Sequence, residues 1–386
     1  MKRILAAIAV IAASSLASVA MAADAETPVV KGNIEVYGFA KVSVDAITTD
    51  AKATGATKSL TRISSNSSRL GFKDTESLDD DVNAIMQLEL GVNYDGTQTS
   101  VVSSVTPSPV SSKSTNIDKI TYRNSFAGLS SKTFGSVIFG INDTPYKIST
   151  GGLDPFADTM ADYNAIIGTV NGTSDFDLRA LNTVMYTSPK FAGIQIMAQT
   201  SSTGQESPTT STTGNKQEYS FSVTYTGGPL YVSLADETHS NGYGSLDKLG
   251  AKIEGTKAGV GYTIADSGTK IGLVYEILKD SISNSPNTRN AEYVAISQPL
   301  GKETIKLAYG IAEKGKAQNT DNGATLAAIG VDHNFTKRTT AYLLYAKTSN
   351  NTNGTYGLGQ SGAGGAYVPG AGEKPSVISF GINHSF

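Results

Sequence analysis

The sequence predicts an all-β protein: a 16-stranded antiparallel transmembrane β-barrel. Three observations carry that prediction. The chain is rich in Gly and Tyr and poor in charge, apolar and polar residues alternate again and again, and the joints between alternating segments are by turns short and long.

Composition comes first. Among 386 residues there are 40 Gly, 18 Tyr, 12 Phe, no Trp and no Cys, with 17% charged and 39% hydrophobic residues, a profile too rich in Gly and Tyr for a helical protein. The absence of Cys excludes disulfide scaffolds, Cys-ligated zinc and thiol nucleophiles. The three histidines, His239, His333 and His384, lie far apart in sequence and offer little for imidazole chemistry. No Gly-x-Ser-x-Gly elbow and no phosphate-cradling glycine loop appears, so neither an enzyme nor a cofactor is expected. A formal net charge of -3 gives no basic footprint for nucleic acid.

The N-terminus reads as an export signal. Lys2 and Arg3 precede an apolar run over residues 4–13, and Ala20-Met21-Ala22 supplies a small-x-small cleavage site. A cleaved leader over residues 1–22 and a barrel domain over residues 23–386 are expected. Losing the two basic residues takes the charge from -3 to -5. The apolar run is shorter than the roughly 20 residues of a spanning helix, and no other run is longer, so a membrane role requires a barrel.

The alternation supplies one. In Glu218-Tyr219-Ser220-Phe221-Ser222-Val223-Thr224-Tyr225 every second side chain is aromatic or β-branched, which in a strand sends the two kinds to opposite faces. Val82, Ala84, Met86, Leu88 and Leu90 repeat the pattern, as do Ile305, Leu307, Tyr309 and Ile311, and Ile378, Phe380 and Ile382. Short joints fall near residues 78–81, 130–133, 188–190, 227–229, 266–269, 299–302 and 336–338, with longer polar stretches between them. Seven short turns and eight long loops give 16 strands with both ends on one side. Residues 249–264 are read as one strand with a bulge at Gly255-Thr256, where the apolar positions change parity; a turn there would make 17 strands. The intervening positions are mostly polar, and a polar interior behind an apolar exterior is a water-filled pore.

The longest interruption, residues 142–178, holds one helix signal. Asp154 is an N-cap with Pro155 at the first helical position, and Gly168 is a stop. On that helix Phe156, Met160, Tyr163 and Ile167 share one face, while Asp154, Asp158 and Asp162 share the other. Arg69, Lys73, Arg123 and Arg179 fall at lumen-type positions of nearby strands. Acids facing arginines across a narrow lumen sort solutes by charge, and the acidic balance of the loop, Asp143, Asp154, Asp158, Asp162, Asp175 and Asp177 against Lys147 and Arg179, leads to an expected weak cation preference. Asp79, Asp80 and Asp81 read as a solvated turn, and the Asn-Gly-Thr tripeptides at Asn171 and Asn353 as accidental matches to a glycosylation acceptor.

Several stretches, in order, resemble the general porins of Gram-negative outer membranes, the trimeric kind of β-proteobacteria. They are Glu35-Val36-Tyr37-Gly38-Phe39, Ser68-Arg69-Leu70-Gly71-Phe72-Lys73, Arg123-Asn124-Ser125-Phe126-Ala127-Gly128-Leu129, Asn182-Thr183-Val184-Met185-Tyr186-Thr187-Ser188-Pro189, Phe335-Thr336-Lys337-Arg338 and Gly381-Ile382-Asn383-His384-Ser385-Phe386. The resemblance implies a homotrimer in the outer membrane, in contact with lipid and lipopolysaccharide. It further implies a third external loop folded inward to form a constriction, and passive diffusion of ions and small hydrophilic solutes. Phe386, ending the lipid-facing alternation Ile378, Phe380, Ile382, His384, is implied as a signal to the barrel assembly machinery. The acidic turn from Glu76, His384, and the long Gly-rich stretch 349–374 depart from the family pattern. Alternatives are a pore selective for phosphate or an organic anion, and a surface adhesin barrel.

Overall fold

A computed structural model of the chain describes residues 34–51, 56–95, 120–203, 216–240, 243, 252–280, 287–316, 321–359 and 366–386. The expected leader, residues 1–22, lies outside them. Sixteen antiparallel strands form one closed barrel. The first six are β1 (Glu35–Ala51), β2 in two segments (Ala56–Ser65 and Arg69–Ser77), β3 (Val82–Val92), β4 in two segments (Ile120–Tyr122 and Ser125–Ser131), β5 (Gly135–Asp143) and β6 (Arg179–Thr187). Then come β7 (Ile194–Thr203), β8 (Lys216–Gly227), β9 (Leu230–Ser240), β10 (Lys252–Thr263) and β11 (Lys270–Asp280). The last five are β12 (Asn287–Leu300), β13 (Glu303–Ala312), β14 (Ala324–Asn334), β15 (Thr339–Asn350) and β16 (Ser376–Ser385). Closure is made by β1, which pairs with β16 through Phe39↔Ser385 to Thr48↔Ser376 and with β2 through Val42↔Ser65 to Ala51↔Ala56.

All seven short turns fall where the sequence put them. Exposed aromatics mark that end: Phe134, Phe191 and Phe335 lie in or beside short turns. The acidic turn is tied down by its own side chains, since Asp79 Oδ1 accepts from the amides of Asp81 and Val82 at 2.8 and 2.7 Å. At the other end the connections are not uniformly long, because only residues 52–55 separate β1 from β2.

Residues 252–263 are one strand, as expected, but without a bulge. The register with β9 and with β11 runs unbroken past Gly255 and Thr256. The change in apolar parity has another cause: Ile253 points inward and is buried with Phe176, Ala235 and Leu278. The inner wall is apolar there because protein, not water, covers it.

The same holds on a larger scale. Lumen positions of β11 to β16 and β1 carry Val274, Ala291, Tyr293, Ala295, Ala308, Ala324, Leu326, Ala328, Leu344, Ala346, Val377 and Ile47, all buried in one cluster with Phe156, Met160, Tyr163, Ile166 and Ile167 of the β5–β6 connection. The connection, hereafter L3 (residues 144–178), is therefore folded into the barrel. Mostly polar lumen positions were expected; apolar ones, many of them alanine, occupy the part of the wall against which L3 packs.

Three true bulges lie elsewhere. Pairing of β1 with β2 shifts by one residue at Asn66 to Ser68, pairing of β3 with β4 shifts at Arg123 and Asn124, and pairing of β5 with β6 shifts between Ala180 and Thr183. Asn66 fixes the first, its side-chain amide donating to Ser43 Oγ at 2.9 Å and Tyr342 Oη at 3.1 Å.

The faces make a stability prediction. Leu307 is outward-facing on β13 and exposed, so Leu307→Arg is expected to destabilise the folded barrel in lipid by about 2–4 kcal/mol. Leu307→Phe is expected to be tolerated. Equilibrium unfolding of the two variants in liposomes checks the difference.

Candidate functional site

L3 begins at a real helix cap, but ten residues earlier than the sequence suggested, at Thr144 instead of Asp154. The helix α1 is Pro145–Gly151, with Thr144 as N-cap accepting from the Lys147 amide at 3.2 Å, and Pro145 at the first position. Asp154 also caps, yet no helix follows it. Its Oδ1 accepts from the Phe156 amide, its Oδ2 from the Tyr163 amide, each at 2.9 Å, and Tyr293 Oη donates to Oδ1 at 2.6 Å. Asp158 then takes a left-handed φ of 56°, which breaks any helix. Asp162 caps a single 3-10 turn, Tyr163–Ala165, accepting from Asn164 N and Asp158 N at 2.9 Å.

The apolar residues reach the wall as the pattern required. Phe156, Met160, Ile166 and Ile167 are fully buried, and burying such a side chain stabilises by roughly 1.5–3 kcal/mol. Polar clamps add direction. Glu276 of β11 accepts from the Gly168 amide at 2.8 Å, from Tyr146 Oη at 2.9 Å and from Arg289 at 2.6 Å. Asp177 accepts from Tyr163 Oη at 2.9 Å and Asn164 at 2.8 Å and is paired with Lys257.

The last external connection closes over L3. Tyr356 and Leu358 join its buried cluster. Asn171 and Gly172, at φ 44° and 81°, form the turn of a small hairpin between Thr169–Val170 and Thr173–Ser174. Thr355 donates its amide to Asn171 Oδ1 at 3.0 Å. The two Asn-Gly-Thr tripeptides thus meet, one serving as a turn and the other as its support.

The three acids expected to face the lumen, Asp154, Asp158 and Asp162, separate. Asp154 and Asp162 are buried, and burial pushes both carboxyls above the usual carboxylate range, Asp162 up to about 8 with the Asp154 carboxylate adding to it. Asp158 remains partly open and accepts from Arg69 at 3.0 Å. The sequence pattern put all three on the water side; the structure departs from it because a folded loop uses Asp154 and Asp162 to satisfy its own amides.

Opposite the buried face of L3, β2 to β6 bring the basic residues together. Glu89 on β3 accepts from Arg123 Nε at 2.7 Å and from Tyr37 Oη at 3.0 Å, with Arg69 at 3.8 Å. Asp143 on β5 pairs with Arg179 and with Lys147 of α1, each at 3.1 Å, and Asn124 braces that pair by accepting from Arg179 Nε at 2.7 Å and donating to Asp143 Oδ2 at 3.2 Å. Every arginine here sits at a bulge: Arg69 follows the first, Arg123 lies in the second and Arg179 opens the strand that carries the third. Lys73 stands apart, nearer the short-turn end, paired with Glu35 at 3.1 Å and lying over the Tyr37 ring. Sequence reasoning counted Asp143 and Lys147 among the charges of the inward loop but missed Glu89, whose lumen-type position on an alternating strand was the available signal.

This patch holds four bases (Arg69, Arg123, Arg179, Lys147) and three acids (Glu89, Asp143, Asp158), a balance of +1. It can bias the passage of ions across a few ångströms of water but presents no nucleophile with a base beside it. Among the described residues no group of three or more His, Cys, Asp or Glu side chains is arranged to hold a metal ion.

Comparison with known proteins agrees with this architecture. The family described as Gram-negative porin matches residues 6–353. The chain is similar to outer membrane porin protein 32 of Delftia acidovorans, 27% identical over 390 residues and covering 100% of both. Among solved structures, the anion-selective porin from Comamonas acidovorans aligns with a TM-score of 0.72 at 23% identity, covering 92% of this chain and 100% of that one. OmpT of Vibrio cholerae, in a trimer form, aligns with a TM-score of 0.62 at 16% identity over 92% and 99%.

The acids of L3 are expected to act differently. Asp158→Asn removes a lumen charge and is expected to move the reversal potential in a salt gradient toward anions. Asp154→Asn is expected to leave that potential in place and to weaken the loop by about 1–3 kcal/mol, as for a buried acceptor lost. Planar-bilayer recordings paired with thermal melting of the two variants check this.

Proposed function

Since the chain belongs to the Gram-negative porin family, we propose that its outer-membrane channel is a general diffusion pore for ions and small hydrophilic solutes, with a weak preference for anions. The observation that carries this reading is the near-balanced patch between L3 and the β2–β6 wall. Its acids are engaged by its bases, so a passing solute meets hydrated, mutually compensated charge rather than a cage built for one ligand. Arg69, Arg123 and Arg179 on the wall and Asp158 on the loop line the constriction in this reading. Asp154 and Asp162 hold the loop, and Lys73 contributes to the field nearer the short-turn mouth. With Asp154 and Asp162 buried, the excess of one base favours anions, the reverse of the cation preference expected from the sequence, and it also supports a second reading, an organic-anion or phosphate pore; the Comamonas relative is described as anion-selective.

The working form is proposed to be a homotrimer of the exported chain, cleaved after Ala22 and inserted by the barrel assembly machinery. OmpT of Vibrio cholerae is described in a trimer form. The outward row Ile378, Phe380, Ile382 and Phe386 is exposed toward lipid and supports recognition of this strand during assembly.

Two experiments test the proposal. Proteoliposomes are expected to swell in arabinose, more slowly in sucrose and least in raffinose; no swelling in any sugar would refute a general pore, and swelling only with charged solutes would favour the selective reading. Deleting Phe386 is expected to lower the yield of heat-modifiable trimer while export to the periplasm continues, as read on unheated gels.

A further inference from the structure

On the short-turn side of L3 the lumen contains a cavity of about 580 Å³, bounded by Ile148, Leu153 and Pro155 of the loop and by the β8 to β12 wall. Glycines of the wall seat its loop-side edge. At lumen positions of β10 and β11 stand Gly261 and Gly272, so the wall lacks side chains there, and Leu153 seats itself in the space. A Cβ on Gly261 would come within 2.8 Å of Leu153 Cδ2, and one on Gly272 within 2.6 Å of the Leu153 carbonyl oxygen. Ile148 is left 40% exposed, an aliphatic side chain facing lumen water.

Two further features define what fits. Tyr231 contributes a ring to the cavity and is held in place by donating from its hydroxyl to the Ser149 carbonyl at 2.5 Å. Lys270 lines the same cavity, shares the lumen face with Gly272, is exposed, and makes no ion pair among the described residues. One end is apolar and flat, the other a single accessible cation.

We infer that this cavity is a weak binding subsite for one-ring aromatic monocarboxylates, their ring against Ile148, Leu153, Pro155 and Tyr231 and their carboxylate toward Lys270. The volume lies within the usual range of about 300–1,000 Å³ for small-molecule sites. Removing apolar surface from water favours the ring, and the ammonium selects an anion over a neutral analogue. Set against the β8 to β12 wall, the subsite raises the local concentration of such acids in the lumen. The inference rests on the diffusion-pore reading and extends it to a solute class.

The test uses the whole protein with benzoate, benzyl alcohol and acetate as probes. In planar bilayers, benzoate is expected to reduce chloride current in a saturable way, with acetate and benzyl alcohol both weaker. Lys270→Gln is expected to raise the half-saturating benzoate concentration about tenfold, equivalent to ~1.4 kcal/mol, and Ile148→Ser to raise it without changing the response to acetate. Equal responses to benzoate and acetate, or benzoate responses untouched by both variants, would overturn the subsite. Isothermal titration of benzoate into the detergent-solubilised protein reads the same site without current. If the protein conducts no ions yet binds benzoate in a Lys270-dependent way, the pore reading fails and the subsite stands; if it conducts and binds none, the reverse.

Discussion

The arrangement depends on one interaction, the burial of L3's apolar residues against the inner wall of β11 to β16 and β1. A closed barrel satisfies its backbone without further help, but its inner face must meet either water or protein. Here the wall is divided. Alanines, Leu326 and Leu344 meet Phe156, Met160, Ile166 and Ile167, while β2 to β6 keep charged groups in water. Because the loop occupies one half of the lumen, the solute path is pressed against the other half, where the arginines stand.

The bulges are the second determinant. A regular strand presents one inward side chain per two residues, too sparse to crowd three guanidiniums and two carboxylates into one patch. An extra residue at Asn66 to Ser68, at Arg123 to Asn124 and before Thr183 re-aims the chain locally, so that Arg123 and Asn124, adjacent in sequence, both engage partners in the patch: Glu89 and Arg179. Arginine suits this duty, since its planar fork reaches two partners at once, as Arg69 does with Asp158 and Glu89.

Much of this was legible in the sequence. Period-two alternation gave the sixteen strands and the seven short turns, because one face in lipid leaves an unambiguous record in residues such as Tyr219, Phe221, Val223 and Tyr225. The apolar set of L3 was legible for the same reason. What was not legible depended on contacts distant in the chain. The Asp154-Pro155 signal for a helix was overridden because Tyr293, from β12, and the Tyr163 amide compete for the same carboxylate. Ile253 looked like a register slip since its partner, Phe176, lies far away in L3. The bulges carry no local signature beyond small polar residues such as Asn66, Ser67 and Asn182.

The absence of cysteine from the chain permits a direct test of the divided lumen. Single cysteines at Ile148, which faces lumen water, and at Ile167, which is fully buried against the wall, are to be treated with a charged, water-soluble methanethiosulfonate while conductance is recorded. The account predicts rapid modification and a stepwise fall in current at position 148, and none at position 167. Equal reaction at both positions would show that L3 does not pack against the barrel wall, and would contradict the account at its base.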